Sequence, residues 1–165
     1  MKTIDQDGLL LCDLQAEAFE MSVNATASSS AVFIRRFMNS KIAKWLDGGS
    51  ILALNVQPAD LLKLVEEQYG PSGYGSLKYT QNEMYWIGYV YRYYSYTYQC
   101  SSVHAYKIIK PDELRGLFLP YHTLDPAQAI ERILEAKGIS GNMGMDMKHQ
   151  YEIFRKIREN RKKES

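Results

Sequence analysis

An all-α fold is the class this sequence predicts, and three observations predict it. Apolar residues recur at three- and four-residue spacing through most of the chain. Capping signals open one segment after another, and glycine or proline closes them. Only one segment has strand-like composition, and it has no second of similar strength to pair with. With 165 residues, 45% hydrophobic and 24% charged, the chain has the size and balance of one globular domain able to bury close to about 70% of its unfolded surface. That balance excludes a disordered chain, a collagen-like repeat and a disulfide scaffold.

The first helix is expected from Leu9 to about Asn24, ending in the small polar cluster Thr26-Ala27-Ser28-Ser29-Ser30. A serine of that cluster can cap a second helix, Ala31 to about Asp47, which Gly48-Gly49 terminates because glycine enters the left-handed region without steric cost. Pro58 at a first-turn position opens a third, which stops at Gly70. Met84 to Tyr98 holds seven tyrosines, a strand-like composition. The capping box Thr80-Gln81-Asn82-Glu83 directly before it, and the break in alternation at Tyr93-Tyr94, predict helix instead. Pro111-Asp112-Glu113 opens a short helix that Pro120 closes, and Asp125-Pro126 caps another running to Lys137. Residues 1–138 thus form a single all-helical domain. Residues 139–165 read as a glycine- and methionine-rich linker and a basic helix or tail, with seven basic and three acidic side chains from Lys148 onward.

Net charge is only +1, so no global field argues for nucleic acid or an acidic membrane. No apolar run approaches the roughly 18 residues of a membrane span, and Asp5 and Asp7 stand where a signal peptide needs bases. A cytoplasmic protein is expected, with Cys12 and Cys100 as packed thiols. Gly70 to Ser76 spaces two glycines like a phosphate cradle, but Ser76 follows Gly75 where a P-loop has lysine. Cys100 and His104 lie one turn apart, yet His122 and His149 occupy unrelated segments, so no metal or cofactor is expected. Arg115 and His122 form an Arg-x6-His spacing that resembles the signature of HEPN-type metal-independent ribonucleases. In that family the two residues stabilise and protonate the transferring phosphate. Gly116 and Pro120 depart from the family's pattern, and the ribonuclease is carried as an alternative.

Plotted at about 100° per residue, the second helix gathers Ile34, Met38, Ile42, Trp45 and Leu46 into one apolar arc. Arg35 falls inside that arc, where burial obliges it to find a carboxylate. Phe33 and Phe37 share the opposite side with Arg36, Lys41 and Lys44, and aromatics beside cations dominate binding hot spots. This face is therefore a partner surface, or else the helix is buried on two sides. On the tyrosine helix, Tyr85, Tyr89, Arg92, Tyr93 and Tyr96 form one stripe, and Ile87, Val90, Tyr94 and Tyr98 another. One stripe is core; the other suits protein recognition or base stacking.

The segments Ser29 to Met38, Tyr85 to Tyr93, Tyr106 to Pro111 and Pro120 to Pro126 resemble a family of small uncharacterised proteins from gut Firmicutes. Those proteins tend to be encoded beside an ADP-ribosyltransferase-like toxin and a second small protein. The resemblance covers roughly residues 10–137 and implies a toxin–antitoxin cassette, with this chain as the antitoxin. The expectation is a non-enzymatic protein that binds a cognate toxin by contact. A helical DNA-binding regulator using the second helix is a further alternative, with nucleic acid less favoured than protein and no membrane involved.

Overall fold

Two antiparallel helices form the spine. Their N-termini are fixed by side chains that the sequence places one residue outside each helix. In the computed structural model, which describes residues 1–139 together with Arg155, Arg158 and Glu159, α1 (Gln6–Ala25) begins where the Asp5 carboxylate accepts the Gly8 N–H. The tyrosine segment is a helix, α5 (Gln81–Tyr98), opened by a reciprocal box. The Glu83 N–H donates to the Thr80 hydroxyl at 3.1 Å, and the Thr80 N–H donates to the Glu83 carboxylate at 2.9 Å. Tertiary burial overrides the strand propensity of its tyrosines, because 11 of its 18 residues are buried by neighbours on several sides.

Glycines let the two helices approach. A Cβ at Gly88 would stand 2.8 Å from the Phe19 ring, and one at Gly8 would stand 2.6 Å from the Tyr96 ring. The Lys2 N–H donates to the Thr97 carbonyl at one end of the pair. Along its length Gln15 Nε2 donates to the Gly88 carbonyl at 3.0 Å.

Around this spine pack α2 (Ser30–Met38), α3 (Lys41–Gly48), a 3-10 turn (Ser50–Leu54), α4 (Pro58–Tyr69), α6 (Ser102–Ile108), α7 (Pro111–Tyr121) and α8 (Pro126–Ala136). All described elements are helical, and their buried apolar side chains join in one cluster. The segment from Gly70 to Tyr79 crosses the surface as a strap. Ser29 and Ser30 N–H groups donate to the Tyr74 and Leu77 carbonyls, and the Tyr79 N–H donates to the Ser30 hydroxyl. Lys78 Nζ ties the strap to the Thr26 carbonyl at 2.6 Å.

Three boundaries differ from the sequence expectation. The second helix is two helices, because Ser40 ends one and starts the next: its hydroxyl donates to the Phe37 carbonyl and accepts the Ala43 N–H. The short helix α6, capped by the Ser101 hydroxyl, was not expected. Pro120 lies within the last turn of α7 rather than beyond it, and the His122 N–H still reaches the Phe118 carbonyl at 2.8 Å. The linker and basic tail expected after residue 138 lie outside the described residues, apart from Ile139, Arg155, Arg158 and Glu159. No described helix is long and apolar enough to cross a membrane, and both cysteines are free thiols.

Candidate functional site

The break at Asn39–Ser40 changes the phase between α2 and α3, and with it the identity of the outward face. Phe33 and Phe37 do not form an exposed contact surface: they are 3% and 0% exposed and close on Phe19, with ring centroids at 5.3 and 4.9 Å and near-perpendicular planes. Arg35 is the converse correction, since it is exposed and not buried in the apolar arc. Arg36 binds internally, donating to the Gly70 carbonyl at 2.7 Å with its guanidinium 5.4 Å from the Tyr69 ring centroid. It therefore closes the C-terminus of α4.

On α3, Ile42, Ala43 and Leu46 turn inward. Lys41 and Lys44 stay exposed, and Trp45, expected in the core arc, is 53% exposed one turn on from Lys41. Trp45 borders a hollow of about 390 Å³ together with Lys41, Ile42 and the α4 residues Leu64, Glu67 and Gln68. The Lys41 N–H donates to Gln68 Oε1 at 2.8 Å, fixing the start of α3 against α4. This outward aromatic was missed because a helix continued through Ser40 carries Trp45 into the buried arc.

The tyrosine stripe divides. Tyr85, Tyr89 and Tyr93 stack as a ladder with successive ring centroids 6.3 Å apart. Tyr85 and Tyr89 are half-buried and Tyr93 is buried. The ladder lies against acidic α1: the Tyr85 hydroxyl is 3.5 Å from the Asp13 carboxylate, and burial pushes the Tyr89 phenol up to about 12. Tyr96 donates to Asp5 at 2.5 Å, with Lys2 Nζ over its ring at 4.1 Å.

Arg92, expected on an exposed aromatic face, is 1% exposed and is the hub of a buried network. Its Nε donates to Gln15 Oε1 at 2.8 Å, Nη1 to Asp47 Oδ1 at 2.6 Å, and Nη2 to the Ser102 hydroxyl at 2.7 Å. The Ser102 hydroxyl in turn donates to Asp47 Oδ1 at 2.6 Å, and its N–H donates to Asp47 Oδ2 at 3.0 Å. One guanidinium thus joins α1, α3, α5 and α6, and the buried charge has its carboxylate as burial requires.

Arg115 and His122 are directed to different partners. Arg115 Nε meets the Glu83 carboxylate at 3.3 Å, with its guanidinium 4.5 Å from the Tyr79 ring centroid. His122 Nδ1 lies 2.7 Å from the Phe118 carbonyl of its own helix, and the imidazole stacks on the Phe118 ring at 4.4 Å. Cys100 and His104 are each half-buried. Burial pushes the Cys100 thiol up to about 12 and draws the His104 imidazole below its ordinary value, so neither is primed as a nucleophile or a cation. No protein family, curated protein or solved structure matches this chain.

Proposed function

We propose that the chain is a non-enzymatic partner-binding protein, an antitoxin that covers its toxin by protein–protein contact. The observation that supports contact is the outward edge of α3, where Trp45 is 53% exposed, one turn on from the exposed Lys41 and next in sequence to the exposed Lys44, beside an open hollow. A large aromatic beside cations is hot-spot chemistry, with the ring supplying area and the lysines selecting an acidic rim on the partner. The toxin as partner rests on the sequence resemblance to cassette-encoded proteins.

Co-expression of the double variant Trp45→Ala, Lys44→Glu with the neighbouring gene products tests this reading. The expected outcome is loss of co-purification and of growth protection. The thermal melt should stay within roughly 0.5 kcal/mol of the parent, because an exposed pair contributes little to the core. Full protection by the variant would remove α3 as the contact surface.

A further inference from the structure

A groove of about 380 Å³ lies between α1 and the 3-10 turn that leads into α4. Its floor is apolar, built from Leu14, Ile51, Leu52 and Val56, and the exposed Leu10 stands on its α1 wall. Asp13 and Glu17 share that wall, one helical turn apart and both exposed. They belong to a helix with four carboxylates and no base, and among the described residues neither has an ion-pair partner. An apolar floor beside such carboxylates calls for an occupant with the complementary pattern, an apolar stripe edged by bases. None of these residues lines the Trp45 hollow, so the groove is independent of the contact surface proposed above.

The chain carries a segment with that pattern. From Lys148 onward, seven bases and three acids accompany a few apolar side chains. At about 100° per residue, Ile153, Phe154 and Ile157 fall within one arc of about 100°, edged by Lys156 on one side and Arg158 on the other. Arg155, Arg158 and Glu159, the described residues of this segment, are helical and exposed, with Arg155 Nε 3.9 Å from the Glu159 carboxylate one turn on. On the same wheel Arg155 and Glu159 lie opposite the apolar arc. Eight residues, 140–147, join Ile139 to Lys148 and reach at most about 26 Å when extended. A domain of this length has a radius of gyration of about 14 Å, so the connection can carry the segment to faces well away from the end of α8. Tethering at this length supplies an effective concentration on the order of millimolar, and a weak contact then suffices.

We infer that the groove between α1 and the 3-10 turn is the docking surface for residues 148–163 of the same chain, with Ile153, Phe154 and Ile157 on its floor and the flanking bases against Asp13 and Glu17. The contact covers apolar surface that α1 and the 3-10 turn otherwise present to water. It is weakened by salt, because its charged rim is open to solvent.

Two readouts on the full chain test the assignment. In the first, a zero-length carbodiimide couples lysines to carboxylates in an equal mixture of isotopically light and heavy protein. The expected links run from Asp13 or Glu17 to Lys148, Lys156, Lys162 or Lys163, each within one isotope and independent of protein concentration. In the second, trypsin cuts after Arg155, Lys156 and Arg158. Cutting should be slow in the parent and about tenfold faster in the double variant Asp13→Asn, Glu17→Gln and in the double variant Phe154→Ser, Ile157→Ser. The second variant leaves every residue of the groove in place, so it carries the test even if the first disturbs α1. Links that mix isotopes would overturn the intrachain assignment and give the groove to a second copy. Links spread evenly over the exposed Glu66 and Glu67 of α4 as well, or cutting rates unchanged in both double variants, would overturn the docking and leave the groove to a separate partner.

Discussion

Two guanidiniums, each beside a carboxylate, show how differently the same pair behaves in two regions of this protein. Arg92 sits where four helices meet, 1% exposed, 2.6 Å from Asp47, with Nε and Nη2 donating to Gln15 and Ser102. Arg115 lies on α7 with its side chain 36% exposed and a single 3.3 Å contact to Glu83. Water reaches the guanidinium at the second site, whereas at the first it reaches only the Asp47 side chain, which is 19% exposed. The buried pair therefore dictates which helices must be present together, while the exposed pair decorates a junction already made by Leu114 and the other apolar contacts of α7.

The largest expected effect is at the hub. Arg92→Ala leaves Asp47, Gln15 and Ser102 without their shared donor and empties a fully buried volume. It should cost roughly 3–5 kcal/mol in a denaturant titration. Because the three partners act through one guanidinium, Arg92→Ala combined with Asp47→Ala should cost less than the two single variants added together. Strict additivity, or a single-variant loss below about 1 kcal/mol, would show that the network does not hold the helices.

A smaller effect is expected at the seam that delivers Gln15 to Arg92. In Gly88→Ala the new methyl meets the Phe19 ring at 2.8 Å, and that ring is itself locked against Phe33 and Phe37. Overpacking of this kind costs roughly 1–3 kcal/mol. The cost should appear as a lower midpoint with an unchanged denaturant slope, since the fold is retained. A neutral result would mean that α1 and α5 slide apart freely, and that the hub alone sets their spacing.

How much of this was legible in the sequence depends on how local each signal is. Thr80 with Glu83, Pro58 at its first-turn position, and Asp125 before Pro126 each act within one helical turn, so the helices they open were readable, including the tyrosine-rich one that composition alone would have made a strand. Ser40 was a local signal too. The apolar spacing from Ile34 to Leu46 continues through it and hides the break, and a helix drawn unbroken puts Phe33 and Phe37 opposite the core arc and Trp45 within it, whereas the two phenylalanines are buried and Trp45 is 53% exposed. Arg92 was not readable at all. Its carboxylate is 45 residues upstream and its hydroxyl partner 10 residues downstream. A helical wheel drawn for α5 carries no information about α3 or α6.

The smallest effect belongs to Arg115, and it bears on function as well as on the comparison. Arg115→Ala removes a single ion pair with solvent access and a stacking contact on Tyr79, together worth no more than about 1 kcal/mol, so the melt should shift by a few degrees at most. The helix itself should persist, because Pro111 at its first turn and the acids Asp112 and Glu113 beside it are untouched. A ribonuclease built on Arg-x6-His would need this guanidinium on the scissile phosphate, yet here it faces Glu83 while His122 faces its own helix. The expected outcome is that parent and Arg115→Ala are indistinguishable when incubated with structured and single-stranded RNA, and that the variant still protects cells in the growth assay. Cleavage by the parent that vanishes in Arg115→Ala and in His122→Ala, with both melts unchanged, would replace the contact reading of this protein by an enzymatic one.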